Sequence, residues 1–254
     1  MKKQLFLIQA RLGSTRLPNK VLKKIDGNNT LLDIVYKRVN MSKYANKENV
    51  FVLTSNSPKD DKLANYLKLN NINYFRGNEN NVYDRFFSFI SENIKSEDFD
   101  FIVRICCDNP FIEPKFIDNL IDIKNNNFDY ISYFDKKNNR PAILTHYGFF
   151  VELIKLETFV NSYYSINNKK YEEHVTPIFY EKNRYKKEYL AIPEILYNKE
   201  YRFTIDTQID FNNARNILLE IDNLNFNYKQ ILQIVDSNIE IVNNMKKQIN
   251  KNFK

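Results

Sequence analysis

The sequence predicts an α/β fold built on a mainly parallel sheet. Three observations carry this. Short, strongly apolar runs recur along the chain, as at Leu5–Ile8, Val50–Thr54 and Phe99–Cys107. Segments with apolar residues at helical spacing lie between them, and such alternation is the pattern of strands joined by covering helices. The first run is apolar on successive positions rather than every second one, as expected of a strand buried on both faces.

The elements follow in order. Leu5–Ile8 reads as the first strand and breaks into a basic loop. Thr30–Asn40 carries Leu31, Leu32, Ile34, Val35 and Val39 at helical spacing. Val50–Thr54 is the second strand. Ser57 reads as an N-cap with Pro58 at the first helical position of a helix running to about Leu69. Ile72–Phe75 is a short strand ending at Arg76-Gly77. Val82–Ile94 is a helix with Val82, Phe86, Phe89 and Ile90 on one face, Phe99–Cys107 is a strand, Pro114 opens a helix, and Phe128–Tyr133 is a further strand.

The pattern changes at about 132–202, which suits a small inserted lobe in an otherwise single domain of 254 residues. Within it, 147–153 reads as a strand, a helix starts near Lys155, Glu173–Glu181 reads as helix despite Pro177, and Lys187–Ile192 reads as a strand. Thr204–Thr207 is expected as a strand end, Ile209–Ile221 as a helix, and Ile231 to Val242 as a last helical region. Residues 246–254 are expected to fray. With only four glycines, at 13, 27, 77 and 148, each is expected to mark a special backbone demand.

Composition bounds the function. Lys and Arg total 38 against 31 for Asp and Glu, a balance that favours anionic partners such as nucleotides or phosphorylated substrates. No basic run exceeds a few residues, which argues against nucleic acid. The two cysteines, Cys106 and Cys107, are adjacent and unsuited to an ordinary disulfide, so a reducing, cytoplasmic setting is expected. Met1-Lys2-Lys3 with its short apolar run is not read as a signal peptide, and no run has the length of a membrane span.

The loop after the first strand carries the chemistry. Arg11, Arg16 and Lys20 put three cations within ten residues, and Gly13 and Ser14 stand where a turn can aim backbone N–H groups outward. Fixed cations beside such groups form an anion site, Arg offering a planar fork and Lys a point charge. A solvated basic turn is the plainer alternative. Asp108 stands at the carboxyl end of a strand, where open α/β sheets bind ligands, and a hard cation prefers oxygen donors of this kind. An Asp starting a turn is the alternative there.

The stretch Ile8-Gln9-Ala10-Arg11-Leu12-Gly13-Ser14-Thr15-Arg16-Leu17-Pro18-Asn19-Lys20 resembles the opening signature of the cytidylyltransferase family. That family includes the CMP-sugar-acid synthetases and the spore-coat polysaccharide cytidylyltransferase-like proteins, and the form here is similar to the spore-coat branch. The sialic-acid branch usually has Pro where Gln9 stands and Gly where Leu12 stands. Four later segments support the resemblance: Arg76-Gly77 with Val82 and Arg85; Val103-Arg104-Ile105-Cys106-Cys107-Asp108-Asn109-Pro110; Glu173-His174-Val175-Thr176-Pro177; and Arg202-Phe203-Thr204-Ile205-Asp206-Thr207. Gly148 to Leu153 matches at Glu152, while Phe150 stands where Asp is usual. Gln208 and Ile209 replace the usual Pro and Glu, a change expected to touch the helix cap more than the chemistry.

The resemblance implies a Rossmann-like sheet of the nucleotidyltransferase type and transfer of CMP from CTP to an anionic acceptor, with release of pyrophosphate. It implies Mg²⁺ on Asp108 and Asp206. Gln9, Ala10, Arg11, Gly13, Ser14, Arg16, Lys20, Arg76 and Arg104 are implied at the nucleotide, with Arg16 and Lys20 also catalytic. Glu152, His174 and Arg202 are implied at the acceptor, in a lobe that also serves a homodimer, with a structural role the alternative for Glu152 and His174, and the product is expected to feed surface-glycan synthesis. Asp210 reads as a helix-terminus residue and His146 as structural; Asp84 and Arg85 admit a surface ion pair. No spare base is evident, which favours a phosphorylated acceptor already ionised at neutral pH; the synthetases suggest a sugar acid instead. Two rivals remain. A nucleotide-sugar glycosyltransferase would need no cation for a γ-phosphate, and an inactive nucleotide-binding module would not need both Asp108 and Asp206.

Overall fold

The apolar runs become strands because each is covered on two sides. In the computed structural model, which describes residues 3–95, 97–166, 168–197 and 199–251, β1 (Lys3–Gln9) sends Phe6 and Ile8 into one core and Leu5 and Leu7 into another. Alternating side chains on a pleated strand make this division automatic.

After β1 come α1 (Leu31–Val39), β2 (Val50–Ser55), α2 (Asp61–Leu69), β3 (Tyr74–Gly77), α3 (Val82–Asn93), β4 (Phe99–Cys106) and α4 (Pro114–Asp122). The next elements are β5 (Tyr130–Asp135), β6 (Arg140–Pro141), β7 (Glu152–Lys155), α5 (Leu156–Tyr163), α6 (Lys169–His174), α7 (Pro177–Glu181) and β8 (Lys187–Ala191). The chain ends in α8 (Gln208–Leu219), α9 (Tyr228–Ser237) and α10 (Ile239–Lys251). Strand order is β3-β2-β1-β4-β7-β5-β6, with β8 pairing β5. The pairs β1/β2, β1/β4, β2/β3 and β5/β8 are parallel; β7 is antiparallel to β4 and β5, and β6 to β5. The mainly parallel α/β fold is therefore as expected.

The direction of strand order reverses between β1 and β4. The chain leaves β1 towards β2 and β3, then returns to β4 on the other side. Such a switch point opens a crevice at the carboxyl ends of the two strands. The basic loop leaves β1 there, and Asp108 leaves β4 there.

Several boundaries differ from the sequence expectation. The 147–153 strand starts only at Glu152, because Gly148 has φ 64° and the Phe149 carbonyl accepts from Glu113 N. Glu173–Glu181 is split into α6 and α7 by Val175, at φ 63° and ψ −56°, with Thr176 N donating to the His174 carbonyl at 2.7 Å. That is a classic γ-turn, a strained conformation for a β-branched residue. Thr204–Thr207 forms no strand: Phe203 N donates to His146 O and Ile205 N to Asp108 O, tying the segment to two loops. Ser57 with Pro58 opens a tight turn, Pro58–Asp60, rather than α2 itself. The last helical region is two helices broken at Asn238, and α10 continues to Lys251 with Met245 and Gln248 buried; 252–254 lie outside the described residues. Among the glycines, Gly77 is required because a Cβ would meet Arg85 Cγ at 2.8 Å, whereas Gly13 has open space around it and no positive φ. Asp84 and Arg85 form no surface pair: Arg85 is buried and donates to the Asn78 and Glu79 carbonyls, and Asp84 accepts from Tyr163.

Candidate active site

The loop after β1 is curled onto itself. Ser14 N donates to Leu12 O, Asn19 N to Leu12 O, and Leu17 N to Ser14 Oγ. Leu12 and Leu17 are buried beneath it, and Arg16 between them is left half-exposed. Asn19 takes a left-handed conformation at φ 58°, which Asn tolerates, and this turns Lys20 back towards the sheet. A buried carboxylate, Asp60, accepts from Leu12 N at 2.7 Å and from the Ser55 hydroxyl, pinning the loop to the end of β2.

Lys20 Nζ lies 3.3 Å from Asp108 Oδ2 and 3.5 Å from Asp206 Oδ1, and donates to the Ile205 carbonyl at 2.6 Å. The backbone bond from Ile205 N to Asp108 O, 2.9 Å, brings the two carboxylate-bearing segments together. Arg16 reaches Asp206 Oδ1 at 3.1 Å. Burial works against the Lys20 charge, yet Asp108 and Asp206 more than offset it, so its pKa is raised and the side chain is an ammonium at neutral pH. Arg11 extends to Glu173 at 4.0 Å, joining the loop to the end of α6, where His174 also lies. Four residues scattered through the sequence, Arg16, Lys20, Asp108 and Asp206, thus form one cluster at the switch point. The arrangement offers cations for a phosphate chain and hard oxygen donors beside them.

The chain matches the cytidylyltransferase family over residues 5–241. It is 35% identical over 218 residues to the spore coat polysaccharide biosynthesis protein SpsF of Bacillus subtilis, covering 83% of this chain and 84% of that one. This chain belongs to the cytidylyltransferase family. It is a CTP-dependent nucleotidyltransferase. The fold agrees with a solved cytidylyltransferase from Leptospira borgpetersenii serovar Hardjo-bovis, at 26% identity and a TM-score of 0.81, covering 95% of this chain and 97% of that one. It also agrees with a CMP:2-keto-3-deoxy-manno-octonic acid synthetase solved with CTP, at 13% identity and a TM-score of 0.64, covering 86% and 99%.

Other residues singled out in this cytidylyltransferase lie in different surroundings. Arg104 and Glu152 pair at 2.9 Å in the sheet interior, on the core face opposite Val103 and Leu153. Glu152 also accepts from Tyr130 Oη at 2.6 Å and Thr176 Oγ1 at 3.1 Å, and is wholly buried. Arg104 passes the contact on to Gln9 Oε1 at 3.1 Å. Arg76 braces the loop after β2, donating to the Ser55 and Ser57 carbonyls and to Asp61. Ala10 is buried, its N–H donating to Leu53 O. Phe150 packs in an aromatic cluster, stacked on Phe116 with ring centroids 5.2 Å apart, so its place is in the core. Burial pushes the Cys106 thiol up to about 12, which leaves it neutral and a poor nucleophile.

Arg202 is fully buried and binds Asp206, Asp210 and His146. The cap of α8 survives the loss of the usual Pro and Glu, because Thr207 and Asp210 form a reciprocal capping box. Asp60, the Ile205 carbonyl and the contact of His146 with Arg202 were not legible as parts of the site. The available signals were a carboxylate three residues after an N-cap Ser, and a lone Arg between Tyr201 and Phe203.

Proposed function

We propose that this cytidylyltransferase moves CMP from CTP to an anionic small-molecule acceptor, a sugar acid or a small phosphorylated metabolite, in surface-glycan precursor synthesis. The observation that carries the proposal is the Lys20 ammonium set between Asp108 and Asp206 with Arg16 alongside.

In this reading Arg16 and Lys20 hold the β- and γ-phosphates, and Arg11, Gly13 and Ser14 line the nucleotide side with Gln9 and Ala10. An acceptor oxygen attacks the α-phosphorus in line; the new P–O bond forms as the bond to the β-phosphate oxygen breaks, and pyrophosphate leaves with the electron pair. The loop cations stabilise the charge that gathers on it, so the protein acts by positioning and electrostatics. Two carboxylates within 3.5 Å of one nitrogen are a donor set that suits a divalent ion. Asp108 and Asp206 would hold Mg²⁺, which supplies charge neutralisation to the phosphates when bound. His174, next in the chain to the Glu173 that pairs with Arg11, is the acceptor-side residue, while Glu152 and Arg104 support the floor of the site. Residues 132–202 serve as the acceptor and dimer lobe, in a cytoplasmic homodimer.

The test is pyrophosphate release, measured with CTP, UTP, ATP and GTP against a panel of acidic sugars and small phosphorylated metabolites. Release from CTP with an anionic acceptor supports the proposal. Release only with neutral acceptors, or transfer of a sugar from a nucleotide-sugar, would overturn it.

A further inference from the structure

We propose that Arg202 is a positioning residue that presents one oxygen of Asp206 to a divalent cation, and that it does not bind the acceptor. The inference rests on the metal reading of Asp206 given above. Its ground is how fully Arg202 is used inside the protein. The side chain has no exposure. Nε donates to Asp210 Oδ1 at 2.9 Å, one terminal nitrogen to Asp206 Oδ2 at 2.7 Å and to Asp210 Oδ2 at 3.4 Å, and the other meets His146 Nδ1 at 2.7 Å. A guanidinium committed at all three nitrogens and closed off from solvent has nothing to offer a substrate without dismantling this cluster.

Asp206 is held from several sides. Its N–H donates to Asp210 Oδ2 at 3.0 Å, Arg202 holds Oδ2, and the preceding residue is tied to the Asp108 carbonyl. Asp210 is itself fixed by Thr207 N at 2.8 Å and Thr207 Oγ1 at 3.0 Å. The backbone of Asp206 is thus fixed, and the Arg202 contact sets the direction of its carboxylate. Oδ2 belongs to Arg202, and Oδ1 faces Lys20 and Arg16, on the side of Asp108. The planar fork matters here. An ammonium at the same place is a point charge and cannot engage two carboxylates and an imidazole in one plane. Groups behind a metal-binding carboxylate commonly set its orientation, and their loss lowers metal affinity about 10–100-fold.

The experiment is a titration of Mn²⁺ followed by electron paramagnetic resonance, on the full chain with saturating CTP and no acceptor. Arg202→Lys is expected to keep its fold, checked by thermal unfolding, and to bind Mn²⁺ about tenfold or more weakly. Asp210→Asn is the second variant should Arg202→Lys not fold; it loosens the Asp206 N–H and Arg202 together and is expected to weaken Mn²⁺ about threefold or more. A merely structural role would lower the melting temperature and leave Mn²⁺ affinity unchanged in the folded variants, and that result would overturn the inference alone. Wild-type protein that takes up no Mn²⁺ in the presence of CTP would overturn the metal reading and this inference with it.

Discussion

The Lys20 ammonium lies 3.3 Å from the Asp108 carboxylate, two groups 88 residues apart in the chain. The same nitrogen reaches Asp206 and the Ile205 carbonyl. The basic loop and the two carboxylate segments are therefore one electrostatic unit, in which a largely buried cation balances paired anions.

The loop is expected to read a triphosphate. Lys20→Ala and Arg16→Ala should each weaken CTP binding much more than CMP binding, by about tenfold or more for CTP, since each removes a charge-assisted contact. Isothermal calorimetry with both nucleotides checks this. Equal losses for CTP and CMP would show that these cations do not meet the β- and γ-phosphates.

Removal of divalent ions is the second expectation. Chelation should abolish turnover, and added Mg²⁺ should restore it, because charge on the phosphates is otherwise met only by the loop cations. Full activity in excess chelator, after exhaustive dialysis, would remove the metal from the account.

Glu152 is expected to matter to stability. Glu152→Ala leaves Arg104 as a buried charge without its carboxylate, which typically costs about 3–5 kcal/mol. Glu152→Gln keeps the shape and should lose less. Urea unfolding measures both. A Glu152→Ala protein as stable as wild type, but with a raised requirement for acceptor, would return Glu152 to the acceptor pocket.

The product should report the acceptor chemistry. Among the described residues none beside Lys20 and the two aspartates stands out as a dedicated base, and a phosphate monoester needs none, since its second pKa is about 6. Mass spectrometry is expected to find two phosphorus atoms in the product. One phosphorus would assign the nucleophile to a hydroxyl, as in a sugar acid.

Much of this was legible in the sequence because the strands that matter are buried on both faces. Leu5–Ile8 and Phe99–Cys107 could hardly be anything else, and the cations of the first loop stand together in sequence. The two aspartates were legible through the motifs around them. What escaped was the use of buried charge. Arg104, Glu152 and Arg202 each interrupt an apolar run, a sign of a buried partner, yet the partner of Arg104 lies 48 residues away and only the antiparallel entry of β7 brings it into register. The split between α6 and α7 escaped for a local reason: Val175 is a residue type that disfavours positive φ, so nothing in its identity announces the turn.

The most direct test of the account compares pyrophosphate release from CTP by the wild-type protein with that by Asp108→Asn and Asp206→Asn, under the same acceptor and Mg²⁺. Both variants should fold, and each should turn over at least about a hundredfold more slowly, a loss of roughly 3 kcal/mol in transition-state stabilisation. Near wild-type turnover in either variant would contradict the central claim that these two carboxylates, gathered around Lys20, form the catalytic site.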